Sequence, residues 1–112
     1  MSDFTYPISG KEYTVPDSLL SQAVEGINEG DSHSSRDDLR VRAAKDAFFS
    51  AINAQMHYGE SRSDCHYLTI DGIRVWEEHW KTGTKGDFNL ENLYEDLWSH
   101  LTRLGLIKTP WD

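Results

Sequence analysis

Cysteine is almost missing from this chain. Cys65 is the only one, so no disulfide can close within it, and a secreted domain of this size more often carries several bridges. A reducing compartment, the cytoplasm, is therefore the expected location. Long apolar runs are missing too, since nothing approaches the ~18 residues of a membrane span. The opening segment Met1-Ser2-Asp3-Phe4-Thr5-Tyr6 has neither the basic stretch nor the apolar core of an export signal. Neither insertion nor export is expected. No glycine-rich loop of the GxGxxG or P-loop spacing occurs, which removes the usual cradle for a nucleotide phosphate. Basic residues are few, 11 against 19 acidic ones for a formal charge of −8, and that balance repels nucleic-acid phosphates. Direct nucleic-acid binding is not expected.

What is present fits one folded unit. A chain of 112 residues has the common size of a single domain and can bury roughly two-thirds of its unfolded surface without a metal or a bridge. The expectation is one domain over residues 1–112, and its 38% hydrophobic and 27% charged content suits order rather than disorder.

Local patterns divide that domain. Residues 4–15 read as a hairpin about Ser9-Gly10, with Phe4, Tyr6, Tyr13 and Val15 on one face and Pro7 either on an edge strand or pointing outward. Asp17 or Ser18 caps a helix carrying Leu19, Leu20, Ala23, Val24 and Ile27, with Gly30 as its stop. A polar connection then leads to a second helix opening at Ser35, with a near-capping-box in Ser35-Arg36-Asp37-Asp38. Its inward stripe is Val41, Ala44, Phe48, Ala51, Ile52 and Gln55 or Met56, and Gly59 closes it. Asp71-Gly72 between alternating apolar residues marks a second hairpin over 67–76, because both turn positions tolerate positive φ. A regular register puts Leu68, Ile70, Ile73 and Val75 on one face and Tyr67, Thr69, Arg74 and Trp76 on the other. Residues 76–80 fit strand or helix equally, and 82–86 read as a flexible loop. Asn89 caps a final helix with Phe88 and Leu93 at hydrophobic-staple positions, an apolar face from Leu90 to Leu104, and Gly105 just past its end. The expected fold is α+β, with two hairpins forming a small antiparallel sheet packed against three helices in the order ββ-α-α-ββ-α.

The chemistry-bearing residues cluster around the second hairpin without forming a motif. His57, Cys65, His66, Glu77, Glu78 and His79 are metal-ligand types, and the regular register sets His66 opposite Glu77. Neither a C-x₂₋₄-C nor an H-x₃₋₅-H pair occurs, so no metal and no cofactor is expected. A cysteine nucleophile needs a histidine oriented by a third group, and His66 cannot serve Cys65 because strand neighbours point to opposite faces. His57, His79 or His100 would have to approach Cys65 in space, nothing in the sequence places one there, and an isolated buried cysteine is the commoner outcome, so no catalytic residue is assigned. The adjacent carboxylates Asp37-Asp38, Glu77-Glu78 and Glu95-Asp96 read as solvated faces.

Aromatic residues are the unusual component, with four tryptophans and five tyrosines. Trp76 and Trp80 sit with Arg74, Glu77 and Glu78 between two polar loops, and tryptophan, tyrosine and arginine are the types enriched at binding hot spots. These five residues form the expected partner-binding patch, unless the tryptophans pack as core. Trp111, stiffened by Pro110, is a candidate C-terminal anchor. The functional expectation is a small acidic intracellular binding protein that inhibits or neutralises a protein partner with a basic surface, in the manner of immunity proteins or phage inhibitors of defence or nucleic-acid enzymes. Its alternatives are a self-associating assembly subunit, which would be a homo-oligomer, and a small enzyme using Cys65 and a histidine.

Overall fold

A computed structural model describes residues 3–25, 33–59, 65–79 and 83–107, with side chains in the second stretch from Leu39 onward. The expected stop at Gly30, the connection at 60–64, Trp80 and Trp111 lie outside those residues, as do the side chains of Ser35 to Asp38, whose backbone belongs to a helix that starts at His33, ahead of the expected opening at Ser35.

Strict alternation builds the first hairpin. Strands β1 (Asp3–Ile8) and β2 (Lys11–Pro16) meet through Ser9 and Gly10, at φ of 52° and 83°, the pair of positive values that matches hairpin twist. Phe4, Tyr6 and Ile8 are buried while Thr5 and Pro7 are exposed. Pro7 thus both points outward and, among the described residues, sits on a strand with a single neighbour. The helices are α1 (Asp17–Glu25), α2 (His33–Ala51) and α3 (Leu90–Arg103). Among the described residues, no helix is long and apolar enough to cross a membrane.

Four further strands follow α2: β3 (Ala54–His57), β4 (Cys65–Ile70), β5 (Ile73–His79) and β6 (Gly83–Lys85). They form an antiparallel sheet in the order β3-β4-β5-β6, separate from the two-stranded β1-β2 sheet. The fold is α+β in the order ββ-α-α-ββββ-α. The two expected hairpins lie in different sheets, and the four-stranded sheet gains an outer strand at each edge.

The added strands correct two expectations. The second helix ends at Ala51 rather than Gly59, because Asn53 turns the chain at φ 57°, a conformation asparagine tolerates better than most residues. The Asn53 carbonyl accepts the Asp71 N–H at 3.0 Å and its side-chain amide donates to Asp71 Oδ1 at 2.8 Å. Residues 54–57 then pair with β4 in the register Ala54↔Ile70 to His57↔Tyr67. Ala51 and Gln55 are accordingly exposed and leave the inward stripe, while Val41, Ala44, Phe48 and Phe49 are buried. The expected loop at 82–86 instead contains β6, whose backbone pairs with the free edge of β5.

The chain divides into two compact units, one of Met1–Phe4, Thr14–Phe48 and Asn89–Asp112, the other of Thr5–Tyr13 and Phe49–Phe88. In the first, Phe4, Val15, Leu20, Val24, Val41, Ala44, Phe48, Leu93, Leu97 and Leu101 are buried, with the Phe4 and Phe48 rings edge to face at 5.4 Å. His100 is buried in this apolar company. It faces the Phe4 ring at 5.3 Å, and its Nε2 meets Asp17 Oδ1 at 2.6 Å. Asn89 caps α3 by accepting the Glu91 and Asn92 N–H groups at 2.9 and 3.4 Å. At the other end Gly105 and Leu106 donate to the Thr102 and Leu101 carbonyls, the bond pattern of a Schellman close.

In the second unit Phe88 is the hub. Tyr6, Phe49 and Trp76 surround it at ring-centre distances of 6.4, 6.3 and 5.5 Å, with Ile8, Leu68 and Ile70 also buried. The Ser9 N–H donates to the Asp87 carbonyl at 3.3 Å, and the Ser9 hydroxyl donates to the carbonyl of Val75.

Candidate functional site

The register between β4 and β5 decides what the sheet shows on its outer face. From the turn outward it runs Ile70↔Ile73 and Thr69↔Arg74, then steps to Leu68↔Trp76, Tyr67↔Glu77, His66↔Glu78 and Cys65↔His79. Val75 is the extra residue, so β5 carries a bulge. A regular hairpin would set Val75 opposite Leu68 and Glu77 opposite His66. The bulge moves every later side chain to the other face. Trp76 joins Leu68 and Ile70 inside, at 7% exposure, while Glu77 and His79 share the outer face with Tyr67 and Cys65. Ile73, expected inside, sits beside the turn and is 67% exposed.

The bulge is held from outside the hairpin. Gly86, at φ 96°, lies so close that a Cβ there would stand 2.6 Å from the Val75 carbonyl oxygen and 3.2 Å from Trp76 Cα. The bulged carbonyl also accepts the Ser9 hydroxyl.

On the outer face the side chains form one connected row. His57 stacks on Tyr67 with ring centres 4.4 Å apart and planes 9° from parallel, and its Nε2 lies 3.1 Å from Thr69 Oγ1. The Arg74 guanidinium sits 3.9 Å from the Tyr67 ring centre, a cation over a π face. Arg74 Nη1 donates to Glu77 Oε1 at 2.7 Å. The hydrogen bond to Arg74 holds the Glu77 carboxyl below its usual range, and the bond to Glu77 raises the Arg74 guanidinium further. Glu77 Oε2 lies 3.8 Å from His79 Nε2, which in turn lies 3.6 Å from Cys65 Sγ. Beside this row a shallow depression of about 210 Å³ is lined by Arg74, Val75, Trp76, Glu77, Lys85 and Gly86.

Of the five residues expected to form a partner-binding patch, Arg74, Glu77 and Glu78 lie on β5, Glu77 turned to the outer face and Glu78 exposed. Trp76 is corrected to core, because the bulge turns its ring onto Phe88. Trp80 lies outside the described residues. Tyr67 and His57 belong to the row and were not singled out as a surface. Alternation alone placed Tyr67 beside Arg74, but His57 could not be placed without recognising β3.

Among the metal-ligand types, the structure brings together Cys65, Glu77 and His79 and takes two others elsewhere. His57 is engaged by Thr69 and Tyr67, and His66 Nδ1 accepts the Gly59 N–H at 2.7 Å. The expected His66–Glu77 pairing is replaced by His66↔Glu78. Cys65 and His79 stand within sulfur hydrogen-bonding reach. A nucleophilic triad, however, requires its carboxylate on the imidazole nitrogen away from the thiol. Here the thiol and the carboxylate approach the same nitrogen, Nε2, so Glu77 does not orient His79 as a triad carboxylate would.

Neither the family models, nor the curated proteins, nor the solved structures compared with this chain match it.

Proposed function

We propose that this chain is a small acidic binding protein that inhibits or neutralises a protein partner with a basic surface, of the immunity-protein or phage-inhibitor kind, and that it docks through the outer face of β3–β6. The observation that carries this reading is the Tyr67–Arg74–Glu77 stack, with Arg74 held at once by a ring at 3.9 Å and a carboxylate at 2.7 Å. Long side chains pay a large entropic cost when a partner immobilises them, and side chains held before contact avoid it. Arginine and tyrosine are also the types in which interface energy concentrates. The charge of −8 supplies long-range attraction toward a basic surface. Alternation of charged and aromatic groups suits a specific contact better than a merely soluble face.

The test is affinity capture from the lysate of the native host with the wild-type chain and with Arg74→Ala and Tyr67→Ala, alongside light scattering of the purified protein. A stoichiometric partner retained by the wild type and lost by both variants is the expected result. A partner held equally by the variants would remove the docking face. A stable dimer that captures nothing would transfer the reading to self-association.

A further inference from the structure

Three donor atoms of different chemistry converge on one point of the outer face, from two neighbouring strands. Cys65 Sγ lies 3.6 Å from His79 Nε2, and Glu77 Oε2 lies 3.8 Å from that same nitrogen. All three donor atoms fall within 4.8 Å of one another, and no other such group exists among the described residues. We propose that Cys65, Glu77 and His79 bind a divalent cation of the zinc class, through the thiolate, Oε2 and Nε2.

The spacing suits such an ion. Zinc–sulfur, zinc–nitrogen and zinc–oxygen bonds of about 2.3, 2.0–2.1 and 2.0–2.2 Å, set at tetrahedral angles, hold their donor atoms about 3.3–3.6 Å apart. Closing the observed distances to that range takes a few tenths of an ångström at Nε2, and no more than about 1.2 Å between Sγ and Oε2, which lie within 4.8 Å of each other. The donor set discriminates as well, because thiolate with imidazole favours zinc and its late first-row neighbours over magnesium or calcium, which prefer oxygen alone.

The surroundings fix the three donors. Cys65 and His79 are register partners, and Glu77 precedes His79 by one full strand period on the same face. Arg74 occupies Oε1 of Glu77 and leaves Oε2 turned toward His79, the kind of outer hydrogen bond that orients a ligating carboxylate. The three residues are half-buried, open enough for an ion to enter. Three protein ligands leave a fourth coordination position for water or for a donor from another molecule. The approach of thiol and carboxylate to one nitrogen, unsuited to a triad, is what a shared central ion requires.

The experiment is a titration of the full chain, reduced and free of metal, with Co²⁺ followed by absorption spectroscopy. The expected result is a one-to-one complex with tetrahedral ligand-field bands and a thiolate-to-cobalt charge-transfer band, displaced by Zn²⁺. Cys65 is the sole cysteine, so that band reports on it alone. Cys65→Ser should abolish the band. His79→Gln should weaken binding by more than about 100-fold, since loss of a merely supporting group already costs about 10–100-fold. His66, whose ring accepts the Gly59 N–H, stands outside the row, and His66→Gln should leave binding unchanged. A second measurement needs no variant: Zn²⁺ should slow alkylation of Cys65 in the wild-type chain. A wild type without the thiolate band, Zn²⁺ affinity undiminished in Cys65→Ser, or alkylation indifferent to Zn²⁺ would each overturn the site. The isolated protein suffices, so failure here leaves the proposed docking face untouched.

Discussion

Arg74 and Trp76 are two residues apart on one strand and answer to different forces. Trp76 is a core residue on Phe88, and Trp76→Ala should lower the unfolding free energy by ~3–5 kcal/mol, measured by denaturant titration. Arg74→Ala should lower it far less, because an exposed ion pair and an exposed cation–π contact are each worth little in water. Equal losses would mean that the ring is not where the core places it. Glu77 offers a pH test in protein without added metal. Its carboxyl is held low first by the hydrogen bond from Arg74. A carboxyl lowered in the folded state adds stability above its unfolded value and loses that contribution as pH falls through the folded one. NMR titration should therefore find Glu77 protonating at lower pH than an ordinary glutamate, and at a higher pH in Arg74→Met than in the wild type.

At the scale of elements, turns and caps were legible because single residues announce them. Asp71-Gly72 at φ of 54° and 80°, Ser9-Gly10 and the Asn89 cap all stand where their local chemistry put them. The end of α2 was not legible. Ile52 and Met56 continue a helical spacing, and only the long-range bonds of Asn53 to Asp71 overrule it. The bulge was less legible still, because Val75 is a good strand residue and carries no mark of being extra. Its supports are Ser9 and Gly86, 66 and 11 positions away in sequence, so no window of the hairpin contains them. The Glu77 and His79 end of the outer row, and with it the Cys65–Glu77–His79 group, followed from that one step in register and was hidden with it. Gly86→Ala is the matching test. It forces a Cβ against the Val75 carbonyl at positive φ, so stability should fall by more than ~1 kcal/mol, and amide exchange in β5 should quicken most. Unchanged exchange there would deny Gly86 its part in holding the bulge.

For the molecule as a whole, two properties set its expected behaviour. Strand β1 begins in one compact unit, at Asp3 and Phe4, and continues in the other from Thr5. A continuous strand cannot melt by halves without losing its own ladder, so thermal unfolding should be one transition. Far-ultraviolet dichroism and tryptophan fluorescence should coincide, and separated midpoints would make the units independent. The charge of −8 is the second property. If a basic partner is the target, the association rate constant should fall steeply as salt shortens the Debye length from about 30 Å at 0.01 M to about 8 Å at 0.15 M, with the dissociation rate much less affected.

The bulge at Val75 also works like a shift of reading frame. Upstream of it, each position of β5 means what alternation says; downstream, inside and outside have changed places. Position-by-position comparison with a protein whose strand is regular would set Trp76 against a surface residue and Glu77 against a buried one, and would read both as radical substitutions. A gap of one residue at Val75 restores the sense of everything after it. Relatives of this chain could therefore share its outer face while differing from it in length by a single residue at that point.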